Sequence, residues 1–159
     1  MKEALNYFLN EERICNETED PDEGIDYIFM LDPEEWKILM GEWNDRSISW
    51  KSAVTYFAGF RRLSVNKEIL MNAINDEATG VYEQGLLSLH QTLTEEWEET
   101  GSISIALLSE QEKKTISEKL ENTGDRFKEF PEYNELANLL TDGDSWSLLS
   151  FEQKSPSNR

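Results

Sequence analysis

Asp32-Pro33-Glu34-Glu35-Trp36-Lys37-Ile38-Leu39-Met40-Gly41-Glu42-Trp43 is the stretch on which the fold turns. An Asp32 oxygen can accept the first free N–H groups of a helix, Pro33 suits the first helical position, and Glu35 at the third completes a capping box. Trp36, Leu39, Met40 and Trp43 then recur at i, i+3, i+4 and i+7. That spacing is one face of an α-helix, not the alternation of a strand.

Working outward, the same grammar repeats. Ser47 or Ser49 can cap a following helix that runs to about Leu63, with Trp50, Val54, Phe57 and Arg61 on one side and Ala53, Tyr56 and Phe60 widening the arc. So broad an apolar arc predicts a central helix, packed on more than one side. Ser64 or Asn66 can open another through Ile69, Leu70, Ala73 and Ile74, and a long helix follows around Val81, Gly85, Leu86, Leu89, Leu93 and Trp97. Gly85 costs about 1 kcal/mol of helix propensity against Ala, which a close helix approach would explain. Towards the N-terminus, Leu5, Phe8 and Leu9 give a short apolar face, and Asp22 to Met30 another through Ile25, Ile28 and Phe29. Asn16 to Gly24 reads as a charged connector around Pro21. Towards the C-terminus, Ser109-Glu110-Gln111-Glu112 is a second capping box before Ile116 and Leu120, ending near Gly124. Pro131 opens a last helix with Leu136, Leu139 and Leu140, stopped at Asp142-Gly143.

The expectation is an all-α chain, either a compact helical bundle or a short HEAT-like stack of helical hairpins. The stack is suggested by internal similarity. Ile38-Leu39-Met40 and Asn44-Asp45 match Ile69-Leu70-Met71 and Asn75-Asp76 at an offset of 31, and Trp50, Ala53, Val54 and Phe57 match Tyr82, Gly85, Leu86 and Leu89 one residue later. Ser102 to Leu108 and Trp146 to Phe151 could add a minor two-stranded hairpin. One helical domain over residues 1–152 is expected, with a flexible tail at 153–159 that lacks an apolar anchor.

Charge is distributed unevenly. Of the formal −18 over 159 residues, residues 1–49 carry 14 carboxylates against 4 basic groups, residues 50–94 carry 4 of each, and residues 95–152 carry 15 against 5. Two acidic flanks enclose a neutral, aromatic middle. Mutual repulsion makes this costly for a compact fold, and a basic partner would offset the cost through steering and complementary potential. Nucleic acid and anionic lipid carry the same sign and are poor direct partners. No apolar run approaches the roughly 18 residues of a membrane span. The single Cys15 rules out an internal disulfide and suits a reducing compartment. A cytoplasmic protein is expected, monomeric alone.

The residues of common catalytic chemistry are scarce. With one histidine, His90, and one cysteine there is no zinc-ligand pattern. Asp142-Gly143-Asp144 lacks the later oxygen ligands of a calcium loop. His90 reads as a core or helix-surface residue and Cys15 as a small packing residue. No catalytic residue, metal or cofactor is expected, and the chain reads as a binding protein rather than an enzyme.

Carboxylates beside aromatics suit recognition of Lys and Arg, with tryptophan supplying contact area. Candidate contacts are Glu34, Glu35, Glu42, Trp43 and Asp45 in the first flank, and Glu95, Glu96, Trp97, Glu98 and Glu99 in the second. A core role for each tryptophan, Trp36 and Trp50 ahead of Trp43, Trp97 and Trp146, and plain solvation of each Glu run, are the competing readings.

A small, acidic, helical chain built around Trp36-Lys37-Ile38-Leu39-Met40 and Trp50-Lys51-Ser52-Ala53-Val54-Thr55-Tyr56-Phe57 resembles the immunity proteins of bacterial contact-dependent or polymorphic toxin systems. The likeness is one of style over Asp32 to Trp97, without a diagnostic motif. It implies a protein that binds a cognate basic toxin domain, often a nuclease, as a heterodimer and covers its active site or substrate groove. A phage-borne nucleic-acid mimic that inhibits a defence nuclease, and a helical adaptor or scaffold, remain the alternatives.

Overall fold

The computed structural model describes residues 2–16, 21–101 and 105–141. The described chain is all-α: α1 (Lys2–Leu9), α2 (Glu11–Asn16), α3 (Asp22–Met30), α4 (Pro33–Glu42), α5 (Ile48–Ala58), α6 (Leu63–Ile74), α7 (Thr79–Thr100), α8 (Glu110–Asn122), α9 (Arg126–Glu129) and α10 (Pro131–Thr141), with 3-10 turns at Trp43–Asp45 and Ile105–Leu107. The second half of the expected hairpin, the Asp142-Gly143 stop, the flexible tail and Trp146 lie outside the described residues. Of the two readings open to Ser102–Leu108, a short strand or a turn, Ile105–Leu107 takes the turn, residues 102–104 lie outside the described residues, and no strand occurs among the described residues.

Both capping boxes form as read. Asp32 accepts from the Glu35 N–H at 2.8 Å while Glu35 accepts from the Asp32 N–H at 3.1 Å. Ser109 and Glu112 do the same at 3.0 and 2.8 Å. Ser47, rather than Ser49, caps α5, and its hydroxyl in turn donates to Glu11 at 2.6 Å, tying α5 to α2.

α7 is the spine. Its 22 residues span about 33 Å. α6 runs back along it: Gly85 lies against Ala73 and Ile74 near one end, and Asn66 meets Thr92 towards the other. α5 lies beside both and runs in the same direction as α7: Lys51 near its start pairs with Asp76 just ahead of α7, while Gly59 just past its end meets Ser88 and accepts from Thr92. α1 and α3 close over α5 together with α2, and α8 and α10 cover the other side of α6 and α7. Trp50, Tyr7, Phe8, Phe57, Leu63 and Tyr133 are among the largest side chains in the single buried cluster that results.

The suggested repeat is uneven. α6 and α7 pack as a hairpin along their length, whereas α4 packs chiefly on α1 and joins α5 through Trp43 stacked edge-on to Trp50. The molecule is an irregular bundle whose second helical pair alone has hairpin geometry.

Two boundaries differ from the sequence reading. α5 stops at Ala58, not near Leu63, because the carbonyls at its end are captured sideways. The Asn66 amide donates to Ala58 and Arg61 at 2.7 and 2.9 Å, and the Thr92 hydroxyl donates to Gly59. α6 opens at Leu63 without a side-chain cap of its own, so neither Ser64 nor Asn66 is the cap; Glu96 of α7 accepts the Leu63 N–H at 3.1 Å. α3 spans Asp22–Met30 as read, so the charged connector, which was also carried on to Gly24, ends before Asp22.

An acidic and aromatic cleft beside the spine

The ten candidate contact residues divide by burial. Glu35 is consumed by its capping box and buried. Trp43, only 5% exposed, faces inward: its ring packs on Trp50, Lys51 sits 5.7 Å from its centroid, and its indole bonds the Asp76 carboxylate. Glu96 is the buried cap of α6. These three are therefore structural, and the face of α4 carrying Trp36 and Trp43 is a core face. Trp97 is half-buried against the same core.

The remaining carboxylates fall in two separate places. On and just after α4, Glu34 is exposed beside Lys37, Glu42 pairs with Arg46 at 2.8 Å, and Asp45 is exposed in the turn. Towards the end of α7, Glu98 is exposed, Glu99 pairs with Arg62 at 2.7 Å, and Glu95 is half-buried with Gln91 donating to it at 2.6 Å. Exposed pairs of this kind contribute little to stability, roughly 0–1 kcal/mol each, so they are free to be exchanged for partner contacts.

The second group borders a concavity. A cleft of about 170 Å³ lies between the end of α3, the turn joining α5 to α6, and α7, lined by Phe29, Phe60, Arg61, Arg62, Val65, Thr92, Glu95, Glu96 and Glu99. Phe29 is 56% exposed, a large fraction for an aromatic ring, and Val65 is also exposed. Both arginines are engaged. Arg61 donates to the Ile28 and Phe29 carbonyls at the end of α3 and stacks 5.1 Å from the Phe29 centroid, while Arg62 holds Glu99. Among the described residues Glu95 forms no ion pair, and Gln91 is its hydrogen-bond partner. Burial pushes its carboxyl up from the ordinary carboxylate range, and Glu99 and Glu98 add to that effect against the Gln91 hydrogen bond. A cation delivered into this cleft would relieve that cost.

Phe29, Phe60 and Val65 were not singled out as contacts in the sequence. A signal existed for Phe29: it adjoins the buried Ile28 at the end of a short helix, one step off the buried face.

A second cleft, of about 470 Å³, opens between α2, α5 and the start of α7, lined by Ile14, Cys15, Ser49, Ser52, Ala53, Tyr56, Phe57 and Gln84. None of these side chains bears a formal charge at neutral pH, which sets it apart on so acidic a chain. Cys15 packs at its edge as a half-buried residue, and burial, reinforced by Glu11, pushes its thiol up.

The C-terminal helices meet α7 along a polar seam, largely buried apart from the exposed Arg126. His90 Nε2 lies 2.8 Å from Glu135, Arg126 pairs with Glu83 at 2.9 Å, and the Tyr133 hydroxyl is pushed up to about 12 by burial and then by Glu83. His90 thus takes the core side of its two readings, core or helix surface, with a carboxylate partner that lies 45 positions away and had no signal in the sequence.

Among the described residues no group of three or more His, Cys, Asp or Glu side chains is arranged to hold a metal, and no helix is long and apolar enough to cross a membrane. No protein-family model, curated protein or solved structure matches the chain.

Proposed function

We propose that this protein is a stoichiometric inhibitor, an immunity protein that binds a cognate basic toxin domain in the cytoplasm and covers its active site or substrate groove. The toxin is most naturally a nuclease, whose phosphate-binding groove is built to receive clustered negative charge. The observation that supports this reading is the cleft beside α7. It combines Glu95, which pairs with no cation among the described residues, a neighbouring Glu99 in an exchangeable surface pair, and a half-exposed Phe29 ring. Carboxylates select Lys or Arg of the partner and the ring supplies apolar contact. The exposed carboxylates around α4 add long-range attraction without forming part of the cleft.

The test is capture on the immobilised protein from the source lysate, followed by a nuclease assay on any basic protein retained. The reading requires loss of that activity at one-to-one stoichiometry and an association rate that falls as salt rises. Binding without loss of activity would make the protein an adaptor. Turnover of a substrate by the protein alone would make it an enzyme.

A further inference from the structure

We infer that the cleft between α3, the α5–α6 turn and α7 is a binding site for a free amino acid with an apolar side chain. Arg61 takes its carboxylate, Glu95 its ammonium, and Phe29, Phe60 and Val65 its side chain. This goes beyond the inhibitor reading and does not rest on it, since the ligand is measured on the chain alone.

Two opposite charges face this cleft without meeting. Arg61 and Glu95 both line it, and both are half-buried. Among the described residues neither forms an ion pair, with the other or with a third group. Nor does either offset the other's cost from a distance. Burial alone acts on Arg61 and pulls its guanidinium down from its ordinary range. On Glu95 burial leads, and the remaining influences are Gln91, Glu99 and Glu98. Each charge is therefore held partly out of water with its compensation missing.

The reason they do not pair is that Arg61 is drawn to the end of α3. Its Nη1 donates to the Ile28 and Phe29 carbonyls at 3.3 and 3.1 Å, where a cation suits the negative end of a helix. Those bonds fix the guanidinium without using it up. Nε and Nη2 donate to no described group. Together they form the edge that receives a carboxylate through two parallel hydrogen bonds. The Phe29 ring, with its centroid 5.1 Å away, backs one face of that fork. On the α7 wall, Gln91 donates to Glu95 Oε1 at 2.6 Å, and Oε2 accepts from no described group, which leaves an oxygen for an ammonium. The other charges of the cleft are committed: Glu96 accepts from Leu63, and Arg62 holds Glu99 at the rim.

Charge, size and lining together select the ligand. An anion alone would leave Glu95 uncompensated and a cation alone would leave Arg61 so, whereas a zwitterion serves both. The cleft measures about 170 Å³, below the roughly 300–1,000 Å³ of sites that enclose drug-sized ligands, so it suits one amino acid and not a peptide. Phe29 and Val65 are exposed and Phe60 half-buried, an apolar wall left open to an aliphatic or aromatic side chain.

The probes are L-phenylalanine and L-leucine, titrated onto the full isotope-labelled chain and followed by the Arg61 Nε–H and Gln91 side-chain amide resonances. A dissociation constant of about 1 mM or tighter is expected for a ligand of roughly ten heavy atoms. Phenethylamine lacks the carboxylate and hydrocinnamate lacks the ammonium, and each should bind about ten-fold or more weakly than phenylalanine. Arg61→Lys keeps the charge and loses the fork; Glu95→Gln keeps the Gln91 bond and loses the charge. Each should weaken phenylalanine by about ten-fold or more, and Glu118→Gln on α8 should leave it unchanged. If Arg61→Lys alters the circular dichroism spectrum, the two ligand analogues test the same contacts on the unaltered chain.

No shift with either amino acid at ten times the expected constant overturns the proposal. Phenethylamine binding as tightly as phenylalanine also overturns it and makes the cleft a plain cation site; hydrocinnamate doing so makes it an anion site. Binding that survives both Arg61→Lys and Glu95→Gln places the ligand elsewhere and refutes the cleft. Failure here is separable from failure of the inhibitor reading. An amino acid bound by a chain that inhibits nothing refutes the function alone. Inhibition by a chain that binds neither amino acid refutes this site alone.

Discussion

Glu96 on α7 accepts the backbone N–H of Leu63 at 3.1 Å, so the opening of one helix is capped by a carboxylate from another. Both residues are buried. Glu96→Ala leaves the Leu63 N–H without its acceptor and should cost about 1–3 kcal/mol, the usual penalty for an orphaned buried donor. Glu96→Gln keeps an amide oxygen in reach and should lose distinctly less. Urea unfolding of both variants checks this. Equal losses would mean that the charge, not the acceptor, matters.

Gly85→Ala should destabilise the protein although Ala is the better helix former. A Cβ there would lie 2.9 Å from Ile74 Cγ1 and 3.0 Å from both Ala73 Cβ and the Ile74 backbone nitrogen. The propensity gain is about 1 kcal/mol. Overpacking typically costs about 1–3 kcal/mol, and here part of the obstacle is backbone that cannot rotate away. A melting temperature above the parent's would contradict the close approach.

Acid should erode stability through Asp76 and Glu112. Burial tends to raise Asp76, yet the Ala78 N–H, Lys51 and the Trp43 indole outweigh it and hold the carboxyl below its ordinary value of 3.8. Glu112 is likewise held down by the Ser109 N–H and Lys67 against the opposing effect of burial. A carboxyl with a lowered folded-state value stabilises the fold above its unfolded value, and that contribution is lost as pH falls through the folded one. Stability should therefore drop below about pH 4, and Asp76→Asn should flatten that part of the profile. An unchanged slope in the variant would remove Asp76 from the account.

Charge reversal should separate the two acidic groups. Lys at Glu95, Glu98 and Glu99 should cut affinity for the basic partner by about 2–5 kcal/mol, chiefly through faster dissociation. Lys at Glu34, Glu42 and Asp45 should slow association at low salt and leave dissociation nearly unchanged. Both triple variants should melt within a few degrees of the parent. Stopped-flow kinetics at two ionic strengths distinguishes the outcomes, and identical kinetics for all three proteins would mean that neither carboxylate group meets the partner.

What the sequence disclosed was local. Asp32 with Glu35 and Ser109 with Glu112 are signals contained within four residues, and the structure repeats them. Gly85 was legible because a glycine amid strong helix formers asks for a reason. That Glu96 is buried was not legible, because a run of carboxylates carries no mark of which one turns inward to meet a backbone 33 positions earlier. Trp43 turns inward for the same cause: its indole partner, Asp76, belongs to the turn of the other helical pair. The cleft assembles from α3, α5–α6 and α7, and no periodicity within one segment brings Phe29 to Glu95.

Trp43 and Trp50 lie 6.2 Å apart at an interplanar angle of 66°, with Lys51 near one ring and Arg46 5.0 Å from the other. Two indoles so close and so inclined couple their ultraviolet transitions. The corner between α4 and α5 therefore carries its own optical gauge. Its exciton dichroism depends on that angle and not on helix content, so it would fade if the corner loosened while every helix stayed wound. Loosening of the first helical pair could thus be timed separately from melting of the spine, without a label.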